Sequence, residues 1–173
     1  GTPAAVGGAL LAALRTKGES AVEVRGFATA MRTLAIPVQV SADGPPLVDT
    51  CGTGGDGSGS LNLSTAAALV VAAAGARVVK HGNRSISSRA GNADVLETMG
   101  IPINHDAEAA SSALQALGFV FLFAPNYHPA MKHIMPIRRA MGVRTVFNVL
   151  GPLSNPARPP YQVVGAFSLS AAE

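Results

Sequence analysis

The sequence predicts an α/β fold with a mainly parallel central sheet and a small all-α domain attached to it. Three observations carry that reading. Between residues 47 and 123, short all-apolar runs alternate with helix-forming stretches that each end at a glycine, the pattern of a parallel sheet covered on both faces. Ahead of them lie two segments of helical periodicity with no strand between. At 47–74 an apolar run, a glycine-rich turn and an Ala/Val/Leu stretch follow one another directly.

Taken in order, Thr2-Pro3 reads as an N-cap with proline at the first helical position. Val6, Leu10, Ala13 and Leu14 form one apolar face, and Gly18 stands where the helix should close. Ser20-Ala21-Val22-Glu23 is a capping box, after which Val24, Phe27, Ala28, Met31 and Leu34 keep helical spacing until Ile36-Pro37. Asp43-Gly44-Pro45-Pro46 marks a joint. Strand 47–48 then leads through the glycine loop to helix 65–74, closed by Gly75, and strand 78–79 runs into a polar loop, 80–91. Asn92 caps helix 93–99 and Asp106 caps helix 107–117, closed by Gly100 and Gly118; Phe119–Phe123 is a fully buried strand. Beyond Phe123 seven prolines cut the chain into short pieces: 128–141 helical apart from Pro136, a helical turn at 145–150 and a returning strand at 161–167. The domains expected are therefore a discontinuous helical one, residues 1–42 with about 127–150, and an α/β one, 43–126 with 151–173.

Composition narrows the class. With 48% apolar and 13% charged residues, the chain of 173 can build a sizeable core. A single cysteine, Cys51, excludes an intrachain disulfide framework and suits a reducing cytoplasm. No signal peptide or membrane-spanning run is legible. The chain begins at Gly1, which suggests trimming at its start. The net charge of +3 is unevenly spread: residues 109–172 hold no carboxylate but carry Lys132, Arg138, Arg139, Arg144 and Arg158, and residues 77–89 are likewise acid-free. Two unneutralised basic stretches imply an anionic ligand. Their shortage of aromatics favours a small polyanion over nucleic acid.

Residues 49–65, DTCGTGGDGSGSLNLST, place five glycines within eight positions between strand and helix. Glycine allows positive φ and close ligand approach, and the free N–H groups with the helix N-terminus behind them form an anion site. A flexible surface loop is the competing reading. Neither a Walker loop nor a dinucleotide fingerprint is present. Lys80-His81-Gly82-Asn83-Arg84 comes straight off the next strand, where Lys80 reads as a phosphate contact or a solvated edge charge. Asn83 reads as a turn residue or one that orients a polar substrate. Taken alone, Arg138 and Arg139 are surface charges, Cys51 is packing, and Asp94 and Glu97 complement a helix dipole.

In register and with the same spacing, Asp49–Asp56, Asn62–Thr65, Lys80–Ser88 with Gly91–Glu97, His128–Met131 and Arg138 through Phe147-Asn148-x-Leu150-Gly151-Pro152-Leu153-x-Asn155-Pro156 resemble the anthranilate phosphoribosyltransferases of the tryptophan pathway. Leu61 departs from the Phe common in that family. The resemblance implies the nucleoside phosphorylase-like phosphoribosyltransferase fold. It also implies transfer of a phosphoribosyl group from phosphoribosyl pyrophosphate to the amine of anthranilate, with release of pyrophosphate. By the same resemblance Gly52, Gly54, Gly55, Asp56, Ser60, Asn62, Leu63, Ser64, Thr65, Lys80, Asn83, Arg84, Ser87 and Ser88 would hold the donor. Gly52, His81, Asn83, His128, Arg138, Gly151 and Pro152 would receive anthranilate, and Ser64 would ligate Mg²⁺. Arg138 would meet the carboxylate bidentately, and no residue stands out as a general base. A cytoplasmic homodimer, joined through its helical part and without nucleic-acid or membrane partners, is the expected setting. The family's Asp–Glu pair for a second magnesium lies downstream of the last strand here, and its first helix finds no counterpart in this sequence, so the chain reads as a partial one, inactive by itself. A pyrimidine nucleoside phosphorylase-like enzyme and a non-catalytic nucleic-acid-binding relative are the alternatives.

Overall fold

A computed structural model describes residues 2–54, 61–85 and 90–172. Helices α1 (Ala4–Lys17) and α2 (Ala21–Leu34) precede β1 (Leu47–Gly52), α3 (Leu63–Ala73) and β2 (Arg77–Gly82). Helices α4 (Asn92–Thr98) and α5 (Ala107–Leu117), strand β3 (Phe119–Phe123) and helices α6 (Ala124–Tyr127) and α7 (Met131–Met141) follow. Single 3₁₀ turns at Val146–Asn148 and Pro152–Ser154 lead to β4 (Tyr161–Gly165) and the short α8 (Leu169–Ala172). The four strands are all parallel, in the order β3-β2-β1-β4, so the fold is α/β with a parallel central sheet.

The strand order sets the place of any ligand. The chain steps from β1 to β2 to β3 on one side, then returns to lay β4 on the other side of β1. Open parallel sheets bind ligands outside the carboxyl ends of their strands, where the order reverses. Here that point lies between β1 and β4, just where the glycine loop leaves Gly52.

Both faces of the sheet are covered. Leu47, Val79, Val120 and Leu122 pack with Ala110 and Leu114 of α5 and with Tyr127. Phe121, on the opposite face, packs with Ala93 and Leu96 of α4 and with Ile103. Strands β1 and β2 are longer than their apolar runs, since Asp49, Thr50, Lys80 and His81 continue them as buried polar residues. Edge strand β4 is exposed along its whole length.

A separate cluster joins Leu11 and Ala28 to Val146 and Leu150, with Val24, Phe27, Met31, Ile137, Met141 and Phe147 around them. The buried side of α1 is Leu11 and Leu14, whereas Val6 and Leu10 of the expected face are 55% exposed. Gly7 explains the rotation: a Cβ there would stand 2.9 Å from Ile137 Cδ1, so α1 meets α7 along the glycine side. Two caps also differ from expectation. Pro3, not Thr2, sits at the α1 N-cap without a side-chain bond, and Asn92 is already helical, with Gly91 at the cap of α4. The chain at His128–Ala130 is not helical but a turn between α6 and α7, which then runs through Pro136.

The α2 capping box is as the sequence predicts: Glu23 N–H donates to Ser20 Oγ at 3.4 Å, and Ser20 N–H to Glu23 Oε2 at 2.9 Å. Lys17, donating to the same carboxylate, and the Ser20 N–H hold the Glu23 carboxyl down at about 2. Ser20→Ala should cost about 1 kcal/mol, read as a lower urea midpoint with an unchanged slope.

Candidate active site at the carboxyl edge of the sheet

Alternation along the strands sorts the predicted residues onto two faces. Successive side chains of a strand point to opposite sides. In β2, Lys80 shares a face with its β3 partner Phe121, and His81 with its partner Leu122. Two neighbours in sequence therefore serve different sides of the sheet.

On the first face, Lys80 is fully buried. Its Nζ donates to Thr50 O at 2.5 Å and to Ser64 Oγ at 3.1 Å, while Thr50 Oγ1 donates to Ser64 O at 2.7 Å. The amine thus joins the end of β1 to the first turn of α3. Thr65 Oγ1 donates to Asn62 Oδ1 at 2.8 Å, which fixes the entrance of α3. Burial pulls the Lys80 pKa down to about 8, against the opposing charge of Asp49. Gly52 closes β1, and Gly54 has φ +66, a conformation that glycine adopts without strain. Leu63, at the start of α3, is exposed. Gly55, Asp56, Ser60, Ser87 and Ser88 lie outside the described residues.

On the second face, His81 and His128 are both buried, with their Nε2 atoms 3.2 Å apart. His81 Nδ1 lies 3.2 Å from the carbonyl oxygen of Gly151. That carbonyl accepts only a proton, so His81 carries N–H at Nδ1 and presents a bare Nε2 to His128. Burial lowers both histidines to about 4, each reinforced by a neighbouring cation or imidazole. The pair is neutral at physiological pH. Pro152 is buried behind the exposed Gly151.

Arg138 lies on α7, half-buried, with its guanidinium 5.4 Å from the centre of the Phe147 ring and Nη1 3.7 Å from Met135 Sδ. Among the described residues it has no carboxylate partner in an ion pair. Desolvation lowers its pKa. Asn83 is exposed, its Oδ1 accepting the Arg84 N–H at 2.8 Å. Arg84 itself is engaged by α4: both Glu97 oxygens and Asp94 Oδ1 accept from its guanidinium. Asp94 Oδ2 accepts the N–H groups of Gly91 and Ser85 at 2.7 and 3.2 Å. These two acids therefore do more than complement a helix dipole; they tie Arg84, Ser85 and Gly91 to α4.

One group of residues had no role in the sequence reading. Asp49 is fully buried, and its Oδ2 accepts from Asn155 Nδ2 at 2.9 Å and Gln162 Nε2 at 3.2 Å. Burial raises its carboxyl pKa, while the two amides and Lys80 hold it down. A lone Asp inside an apolar strand was the available signal. Cys51, beside it, is pushed up to about 12 by burial and by Asp49, so it stays a thiol. Among the described residues no group of three or more His, Cys, Asp or Glu is placed to hold a metal, and no helix is long and apolar enough to cross a membrane.

Comparison with known proteins supplies the family. Residues 44–173 match the "Glycosyl transferase family, a/b domain" and residues 2–35 the "Glycosyl transferase family, helical bundle domain". The anthranilate phosphoribosyltransferase of Hahella chejuensis is 58% identical over 167 residues, 96% of this chain and 47% of that enzyme. The crystal structure of the Thermus thermophilus anthranilate phosphoribosyltransferase superposes with a TM-score of 0.91 at 50% identity, covering 98% of this chain and 51% of that one. The Saccharomyces cerevisiae enzyme in complex with PRPP and Mg gives 0.90 at 32% identity, over 98% and 47%. The same enzyme with 4-fluoroanthranilate gives 0.83 at 30%, over 98% and 45%. The chain spans about half the length of the curated relatives it matches. With both family domains matched and its sheet edge built as described, this chain belongs to the glycosyl transferase family that includes the anthranilate phosphoribosyltransferases.

Proposed function

We propose that the protein carrying this chain transfers the phosphoribosyl group of phosphoribosyl pyrophosphate to the amine of anthranilate, the second step from chorismate in tryptophan biosynthesis. The observation that carries the proposal is the two-faced edge of β2. Lys80 ties Thr50 to Ser64 on one face, and His81 meets His128 and Gly151 on the other.

In the reaction the bond from ribose C1 to the pyrophosphate oxygen breaks, and a bond from C1 to the anthranilate nitrogen forms. Charge grows on the departing pyrophosphate, so catalysis consists mainly of stabilising that charge and holding the amine in line. Lys80 and the backbone of Gly52 and Gly54 face the donor side, with Asn62, Leu63, Ser64 and Thr65 at the α3 entrance. Asn83 serves both substrates, and Gly55, Asp56, Ser60, Ser87 and Ser88 complete the donor set. Arg84, drawn to Asp94 and Glu97, joins the donor only by leaving them. His81, His128, Gly151 and Pro152 form the acceptor wall. There the neutral histidines put no cation beside the amine, which leaves Arg138 as the group for the carboxylate.

Ser64 suits Mg²⁺ only as one oxygen among several, since its Oγ already accepts from Lys80 and, among the described residues, no group of three or more His, Cys, Asp or Glu is placed to hold a metal. Phosphate oxygens and waters fit as the other ligands. Bound there, the ion would neutralise the developing phosphate charge. Packing of α1 and α2 with α7 supports one discontinuous helical domain, 1–42 with about 127–150, and an α/β domain of 43–126 with 151–173. We take the protein to be a cytoplasmic homodimer joined through the helical part, with no nucleic-acid partner.

The test is the full-length polypeptide, with anthranilate fluorescence and pyrophosphate release followed together. Loss of fluorescence matched by pyrophosphate, dependent on both substrates, is expected. A salt-sensitive affinity for DNA without pyrophosphate release would overturn the proposal.

A further inference from the structure

The Gly151–Asn155 turn provides the carbonyl that orients His81, yet it lies 70 residues away from that histidine in the chain. What holds it there is the polar set around the buried Asp49. Asn155 Nδ2 spends its two protons on Asp49 Oδ2 at 2.9 Å and Val79 O at 2.8 Å, and its Oδ1 accepts the Ala157 N–H at 2.9 Å. Gln162 Nε2 donates to Pro152 O at 2.6 Å and Asp49 Oδ2 at 3.2 Å, with Cys51 Sγ a further acceptor at 3.8 Å. One carboxylate oxygen on β1 thus collects one amide from the turn and one from β4, and the β4 amide also grips the turn backbone beside Gly151.

The register puts these groups on the acceptor side. Asp49 is the direct β-ladder partner of Gln162, two residues along β1 from Leu47, which packs in the same cluster as Val79 and Leu122. Lys80 and Thr50 point the other way. A shift of the turn would therefore move Gly151 O relative to His81 without touching the Lys80–Ser64 bond.

We infer that Gln162, anchored by Asp49, is a positioning residue for the acceptor site: it fixes the Gly151–Asn155 turn against the end of β2 and so sets the orientation of the His81–His128 pair. The inference rests on the acceptor role proposed above for that pair. It implies that a side chain on the edge strand controls anthranilate affinity while touching no substrate.

The test uses Gln162→Met, which keeps the length but removes both donated bonds, and Gln162→Lys, which restores a donor to both oxygens. In the full-length polypeptide, Gln162→Met should raise the Michaelis constant for anthranilate about tenfold or more. The constant for phosphoribosyl pyrophosphate should stay within about twofold, and Gln162→Lys should recover most of the loss. Both constants rising together, or neither changing, would overturn the inference. Imidazole ¹⁵N–¹H spectra give a readout independent of turnover. The His81 Nδ1–H resonance, protected in the parent, should be lost or shifted in Gln162→Met and return in Gln162→Lys; an unchanged resonance would overturn the inference. Absence of transfer in the parent would refute the proposed function, and the imidazole resonance would then decide the positioning role alone.

Discussion

Replacing Arg138 with alanine should raise the Michaelis constant for anthranilate by roughly thirtyfold to several thousandfold, with little change in that for phosphoribosyl pyrophosphate. The range corresponds to roughly 2–5 kcal/mol for removing one partner of a buried, charge-assisted pair. Three features place Arg138 at the upper part of what an arginine on a helix can do. It is half-buried, it is braced against the Phe147 ring, and no described carboxylate pairs with it. Desolvation already lowers its pKa, which means the protein bears a cost that an incoming carboxylate relieves. Arg138→Lys should recover only part of the loss, because an ammonium cannot reproduce the planar two-pronged contact. A rise in the donor constant with the anthranilate constant unmoved would reverse the assignment of the two subsites.

Lys80→Met should have a comparable effect on the other substrate. Its amine is the cation between the end of β1 and the first turn of α3, and loss of that buried charge from the proposed donor site is expected to weaken the donor by roughly 2–5 kcal/mol. Stability should fall as well, because methionine leaves the Thr50 carbonyl and the buried Asp49 carboxylate without the amine that serves them. Burial lowers the Lys80 pKa from 10.5 to about 8, so carrying its charge inside the fold costs free energy, which methionine relieves only in part. The pH dependence separates the two effects. Donor affinity needs the ammonium and should fall as pH rises through about 8. The stability contribution runs the other way: between about 8 and 10.5 the unfolded chain binds more protons than the folded one, so this group makes stability rise with pH in that window. The checks are donor Michaelis constants from pH 6.5 to 9.5 and thermal melts over the same range. A Lys80→Met protein with an unchanged donor constant would remove Lys80 from the donor site.

Much of the local structure was legible because its causes are local. The capping box of α2, the glycines after α3, α4 and α5, and the strand–glycine turn–helix at 47–74 each depend on residues within one or two turns of one another. Short apolar runs alternating with helices were sufficient to predict the parallel sheet, since only strands buried on both faces have that composition. The candidate site was visible as residue types in loops that such a sheet gathers at one edge.

Three things came only from the folded chain. The strand limits were underestimated because Asp49, Thr50, Lys80 and His81 look like loop residues until buried partners satisfy them. The buried stripe of α1 turned toward Leu11 because Gly7 lets Ile137 approach, a contact between residues 130 positions apart. The placement of Lys80 and His81 on opposite faces of the sheet follows from the β2–β3 register, and the Asp49 set beside His81 depends on β4 returning beside β1 so that Asn155 reaches Asp49 across 106 residues. By itself the sequence determined which elements form and which residues stand at their ends, because capping, glycine conformation and burial periodicity act over a few residues. Tertiary structure decided which of those ends meet, because a buried carboxylate or amine is stable only where distant segments bring its hydrogen-bond partners to it.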